Sequence, residues 1–219
     1  MTAVAAATEA QDDGAATVFR KTFDTYNAPA RIVSLGLYYP VAQVMDATGA
    51  LRFVREGGDV GYSAASVAQI RQAVRWTKWI NELNKGRKWV LTRLFERLDP
   101  MLEDGVALAV VPSHDPFNAD PPTRQLARLL AAGGEGRVDA TGCLVRHTRI
   151  KRVVFGGPSY RGLHRQTIAV NDLERVAGRN VLLLDDIAKS GASLRACEEL
   201  LYEAGARRVQ TLALGRVAR

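Results

Sequence analysis

The chain has 219 residues, of which 47% are apolar and 24% charged, a balance that suits one α/β domain with an elaboration and argues against whole-chain disorder or two large domains. Cys143 and Cys197 each lie in an apolar stretch without a C-x-x-C pair, so a disulfide framework and a cysteine zinc site give way to two buried thiols. The net charge of +7 is uneven, because residues 105–219 hold 17 Lys and Arg against 11 Asp and Glu while residues 1–104 hold 13 against 12. Such a basic half suits nucleic acid, anionic lipid or a phosphorylated small molecule, and charge alone does not choose among them.

In chain order, the first sixteen residues are Ala-rich and acidic and lack the basic start and apolar core of a secretory signal. No run approaches the roughly twenty apolar residues that span a bilayer, and the expectation is a cytoplasmic protein with residues 1–17 as a disordered tail. Arg31 to Tyr39 and Ala50 to Val54 read as a strand pair. From Ser63 the apolar positions Val67, Ile70, Val74, Ile80 and Leu83 take helical spacing, with Ser63 or Ser66 as N-cap and Gly86 at the end. A second helix runs through Leu91, Leu94, Phe95, Leu98 and Met101 to the turn at Glu103, Asp104 and Gly105. Trp76, Trp79 and Trp89 lie on these two helices and are assigned to packing. Residues 18–104 are thus an N-terminal strand pair with helices, a hood or packing elaboration on a core over 105–219.

Within that core, Val106 to Val111 is a continuous apolar strand that stops at Pro112. Pro121 and Pro122 open a helix through Leu126, Leu129 and Leu130 that closes at Gly133 and Gly134. Gly142 to Val145 and Thr167 to Val170 read as short strands, and Arg146 to Arg165 has neither period. Val181 to Leu184 is a second all-apolar strand, Leu194, Cys197, Leu200 and Leu201 stripe a helix, Gly205 caps it, and Val209 to Leu214 closes the chain. Two all-apolar strands joined through helices predict a mostly parallel sheet with helices on both faces. In such sheets ligands bind beyond the carboxyl ends of the strands, here just after Val111 and Leu184.

Residues 181–193 read VLLLDDIAKSGAS. Asp185 and Asp186 emerge at the end of a buried strand, where carboxylates accept hydrogen bonds from a vicinal diol such as the ribose 2- and 3-hydroxyls. Lys189, Ser190, Gly191, Ala192 and Ser193 place successive backbone N–H groups and two hydroxyls around an anion at a helix N-terminus. A diol site beside a phosphate cradle describes ribose 5-phosphate.

This string resembles the ribose-phosphate signature of the type I phosphoribosyltransferases, with Ala188 and Lys189 as departures. Purine-salvage members carry an Asp at the position of Lys189, so the resemblance does not extend to their hypoxanthine or guanine chemistry. VVPSHDP at 110–116 resembles the pyrophosphate-binding turn in its competence-protein-F-like form, which makes Pro112, Ser113 and His114 the pyrophosphate candidates. His114 reads equally as a ligand or as an ordinary turn histidine. Arg124, Gln125, Leu126 and Ala127 fit the helix that follows in those members. The four-cysteine zinc ribbon that usually begins them is missing, and the resemblance covers about residues 105–216.

The span from Arg146 to Arg165 is basic and without an acidic residue. The resemblance makes it the loop that closes over the reacting centre, where Arg149, Lys151 and Arg161 would join Asp185 and Asp186 in catalysis. A solvated basic segment, or one touching nucleic acid, is the alternative. The implied reaction transfers ribose 5-phosphate from 5-phosphoribosyl-1-pyrophosphate (PRPP) to a nitrogen acceptor. Mg²⁺ would be held mainly by substrate and water oxygens, with Asp185 and Asp186 contributing indirectly. A non-catalytic PRPP-binding regulator and a nucleic-acid-binding module are the rival readings, and the tryptophans could serve a homodimer face.

Overall fold

The structure, a computed structural model, describes residues 32–38, 42–45, 51–55, 58–59, 67–118, 120–150 and 160–217. The expected tail at 1–17, the N-cap serines Ser63 and Ser66, and Lys151 lie outside the described residues.

The central sheet is parallel throughout. Its strands are β1 (Ile32–Ser34), β6 (Ala107–Val110), β7 (Val138–Asp139), β10 (Asn180–Ala188) and β11 (Arg208–Val217), in the order β1-β11-β10-β6-β7, with β2 (Leu37–Tyr38) also paired to β11. The period-2 geometry of its strands sends alternate side chains to opposite faces. Leu182 and Leu184 pack with Ile80, Leu94 and Leu126 on one face, and Val181 and Leu183 pack with Leu194 and Leu201 on the other. The helices on the first face are α1 (Val67–Asn84), α2 (Lys88–Leu98) and α3 (Pro122–Gly133), and α5 (Ala192–Glu203) covers the second. This is the expected α/β fold, and it follows from strands apolar on both sides, which must be covered on both sides.

Trp76 is buried, and its indole N–H donates to the Leu214 carbonyl. Trp79 lies 5.4 Å from Trp76 and 6.4 Å from Trp89 between ring centroids. Trp89 is 47% exposed at the end of this aromatic row.

Two expectations are corrected. Among the described residues, the strands of the expected run from Arg31 to Tyr39 do not pair with those of the run from Ala50 to Val54: β1 and β2 join the central sheet beside β11, whereas β4 (Leu51–Arg55) lies between β3 (Ala42–Met45) and β5 (Gly58–Asp59) in a separate antiparallel sheet. Adjacency in sequence favoured a hairpin, but the parallel edge of β11 offers unpaired backbone groups that β1 satisfies. The two short strands expected on either side of the basic segment are present as β8 (Leu144–Arg146) and β9 (Ile168–Val170), which pair antiparallel with each other outside the central sheet. The supposedly aperiodic segment contains α4 (Arg161–Thr167), which is too short for helical spacing to register in the sequence.

Arg137 fastens the first helical layer. Its side chain is almost wholly buried, and its guanidinium meets Asp99 Oδ1 at 2.5 Å while also donating to the carbonyls of Leu130, Asp99, Leu102 and Glu103. These acceptors belong to the last turn of α3 and to the stretch that follows α2, so that one guanidinium ties the ends of the two helices together. Arg137→Met is therefore expected to cost about 3 kcal/mol, read as a lowered urea midpoint at unchanged m-value.

Candidate functional site

The central sheet has one point where the chain departs in opposite directions from neighbouring strands: from β6 it crosses through α3 to β7, and from β10 through α5 to β11. A crevice opens beyond the carboxyl ends of two such strands. The ladder between them pairs Leu184 with Val110 and finishes with the Val111 N–H donating to the Leu184 carbonyl at 2.8 Å. Pro112 has no N–H and cannot extend it. The sequence-predicted turn at Pro112, Ser113 and His114 therefore begins alongside Asp185, and these two groups of candidates come together.

Asp185 and Asp186 are half-buried. Asp185 accepts hydrogen bonds from the Asp186 N–H at 3.0 Å and from Ser193 Oγ at 3.3 Å. Asp186 accepts from the Ile187 N–H at 2.8 Å and from Asn84 Nδ2 at 2.9 Å. Burial, followed by the neighbouring Asp186 charge, raises the Asp185 carboxyl well above the ordinary aspartate value. Two adjacent carboxylates suit a hard divalent cation, and among the described residues no group of three or more His, Cys, Asp or Glu forms a metal cage. That donor set fits a cation arriving with oxygen ligands of its own.

Gly191 is the N-cap of α5 with φ +74°, and a side chain there would run into Ile32 on β1. The left-handed backbone favours glycine at this position, and an added Cβ would have to displace the tip of the Ile32 side chain. The Ala192 N–H turns to Ser190 Oγ at 3.3 Å, and Ser193 spans from the first turn of α5 to Asp185. Lys189 and Ser190 are exposed. The loop from 189 to 193 and the carboxylate pair are consequently one connected unit.

The turn after β6 is tied internally by the Asp115 N–H to Ser113 Oγ at 3.3 Å and by the Phe117 N–H to Asp115 Oδ1 at 3.1 Å. Arg149 reaches it, pairing with Asp115 at 2.6 Å, and the Ile150 N–H donates to the His114 carbonyl at 3.1 Å. The start of the basic segment is therefore docked on the turn. Arg161 is placed differently: its guanidinium pairs with Glu199 on α5 at 2.7 Å, and Arg165 pairs with Glu199 and Glu203. These pairs fasten α4 to α5 and leave Arg161 engaged away from the carboxylates it was expected to join.

Sequence reasoning missed two contributors. Asn84 stands at the last position of α1, and nothing in its local sequence signals that it donates to Asp186. Tyr38 donates to Asn81 Oδ1 at 3.0 Å, and its phenol is raised above the ordinary tyrosine value by burial and then by the Asp186 charge.

Residues 124–217 match the model of the phosphoribosyl transferase domain, a span that includes the Asp185–Ser193 unit and begins after the Pro112–His114 turn. No curated protein matches the chain. Among solved structures, a purine phosphoribosyltransferase from Pyrococcus horikoshii is 14% identical, with 64% of this chain and 87% of that one covered at a TM-score of 0.33. A hypoxanthine phosphoribosyl transferase from Trypanosoma cruzi is 15% identical over 61% of this chain and 64% of that one, at 0.30. A phosphoribosylpyrophosphate synthetase from Mycobacterium smegmatis is 17% identical over 59% of this chain, at 0.31, and the chain spans only 32% of its length.

Because the Asp185 carboxyl is raised on folding, the folded state binds more protons than the unfolded chain from the ordinary carboxylate value up to the folded one, and stability falls as pH rises through that window. Asp185→Asn removes this penalty. It is expected to raise the thermal midpoint of the ligand-free protein at pH 7 by about 4 °C, a gain that shrinks as pH falls toward about 4. Calorimetric melts at the two pH values check it.

Proposed function

We propose that this protein is a Mg²⁺-dependent phosphoribosyltransferase that transfers ribose 5-phosphate from PRPP to a nitrogen acceptor and releases pyrophosphate. The observation that carries the reading is the meeting, at one pair of strand ends, of the Asp185 and Asp186 carboxylates, the Lys189–Ser193 loop and the Pro112–His114 turn. The match of residues 124–217 to the phosphoribosyl transferase domain supports it independently.

In this reading the backbone amides and hydroxyls of Lys189 to Ser193 bind the 5-phosphate at the positive end of the α5 dipole. The carboxylates accept the ribose hydroxyls and favour the positive charge that develops on the ring as the bond to pyrophosphate breaks. Pro112, Ser113 and His114 receive the departing pyrophosphate, and Arg149 and Lys151 meet its negative charge. Asp185 and Asp186 would hold Mg²⁺ indirectly, through substrate or water oxygens, and the cation would supply neutralising charge to the leaving group. Arg161 joins only if its pair with Glu199 opens. The nitrogen lone pair of the acceptor forms the new bond to the anomeric carbon, and pyrophosphate takes the old bonding pair.

Residues 18–104 serve as the hood or packing elaboration, a role supported by the reach of Tyr38 toward Asp186 and of Asn84 onto it. The turn sequence supports placing the protein with the competence-protein-F-like members. The reading also carries a cytoplasmic location and a homodimer face at Trp89. No helix among the described residues is long and apolar enough to cross a membrane.

The test is pyrophosphate release from Mg²⁺ and PRPP across a panel of ammonia, amines and bases. Turnover with at least one acceptor is expected, and Asp186→Asn is expected to lower it by about 100-fold or more while the melting profile survives. Undiminished turnover in that variant refutes the assignment. Tight PRPP binding with no release for any acceptor favours the regulator.

A further inference from the structure

Arg146 ends β8 and is only 4% exposed. An arginine so deeply buried is costly to desolvate, and a side chain needed only to fill space would be apolar. It makes no ion pair with a carboxylate among the described residues. Its planar fork is instead divided among three partners on two segments, the turn after β6 and α4. Nε donates to the Ser113 carbonyl at 2.7 Å, one terminal nitrogen donates to Thr167 Oγ1 at 2.6 Å, and the other lies 3.4 Å from His164 Nδ1.

The two partners on α4 are matched to this donor. Thr167 Oγ1 accepts from Arg146 and passes its own hydrogen to the Leu163 carbonyl at 2.8 Å. Since a guanidinium only donates, His164 Nδ1 must be an acceptor, which places the imidazole hydrogen on Nε2. Burial and the Arg146 charge hold His164 down at about 4, so the ring is neutral at physiological pH. His164 is 3% exposed, and Nε2 has no hydrogen-bond partner among the described residues.

The Ser113 carbonyl belongs to the turn that follows β6. The described peptide bonds include none that is cis, and in a trans peptide the C=O and the following N–H point in opposite directions. Anchoring the Ser113 carbonyl on Arg146 therefore fixes the His114 N–H to point away from the guanidinium. The same guanidinium sits where the basic segment leaves β8 and grips Thr167 where it returns, and the backbone reinforces this through the His147 N–H to the Thr167 carbonyl at 3.1 Å.

We propose that Arg146 is a positioning residue for the pyrophosphate side of the site: it locks the plane of the Ser113–His114 peptide, so that the turn after β6 holds one backbone orientation at the crevice, and it joins that turn to β8 and α4. The proposal rests on the phosphoribosyltransferase reading for the identity of the anion. The bracing itself is a property of the fold. A lysine cannot reproduce it, because a single ammonium lacks the fixed fork that reaches a carbonyl, a hydroxyl and an imidazole in three directions.

The experiment compares the full chain with Arg146→Lys and Arg146→Met in two measurements. Hydrogen exchange without ligand is expected to accelerate in 111–118 and 160–167 in both variants, with 208–217 unchanged. Calorimetry with Mg²⁺ is expected to show inorganic pyrophosphate binding weakened by about 10–100-fold, the loss set by charge-assisted hydrogen bonds. Ribose 5-phosphate, held by the 185–193 unit, is expected to stay within about twofold. Unchanged exchange in 111–118, or equal loss for both ligands, overturns the proposal. If the wild-type protein takes up neither ligand, the phosphoribosyltransferase reading fails and the exchange pattern alone decides the bracing role. If Arg146→Met does not fold, Arg146→Lys decides, because it keeps the charge and the stem.

Discussion

β10 is held by parallel ladders on both edges, but the two ladders differ in length. On the β6 side pairing stops at Leu184, because the neighbouring chain turns away at Pro112, while on the β11 side it continues to Ala188 opposite Arg216. From Asp185 onward the strand is thus still fixed by one neighbour and open along the other. Backbone rigidity on one edge and a crevice on the other let two adjacent carboxylates be presented at a buried strand end, and the 189–193 loop, the turn after β6 and the end of α1 are all arranged around that opening.

The arrangement opposes stability in ways that a purely structural sheet would avoid. The Asp185 carboxyl is raised by burial and by its neighbour, and Arg146 is buried with its charge shared among neutral acceptors. Groups that cost folding free energy without improving the core are of the kind that cluster at binding and catalytic sites. An anion and a cation entering together would relieve much of this imbalance, the cation at the carboxylates and the anion at the amides and guanidinium groups.

The legible parts of the fold were those encoded by short-range pattern. The apolar runs at 106–111 and 181–184 announced central strands, Pro122 and Gly205 marked where helices begin and end, and the carboxylate pair with the Ser-Gly-Ala-Ser loop stood out because each residue has a local geometric role. What the sequence concealed was set by distant contacts. Asn84 meets Asp186 across 102 positions, and no local feature of a helix-ending asparagine points to that partner. β1 joins β11 from the far end of the chain, so adjacency misdirected its pairing. Arg146 and Arg161 look alike as members of one basic run. The fold buries the first against the Ser113 carbonyl and sends the second outward to Glu199, a distinction made by the strand and helix on which each sits.

The most direct measurement is a crystal structure of the protein soaked with PRPP and Mg²⁺. Difference density is required to place the ribose hydroxyls at Asp185 and Asp186, the 5-phosphate within 189–193 and the pyrophosphate against Pro112 to His114. Density for the ligand at another surface, or well-ordered protein whose strand-end crevice remains empty at saturating ligand, contradicts the account.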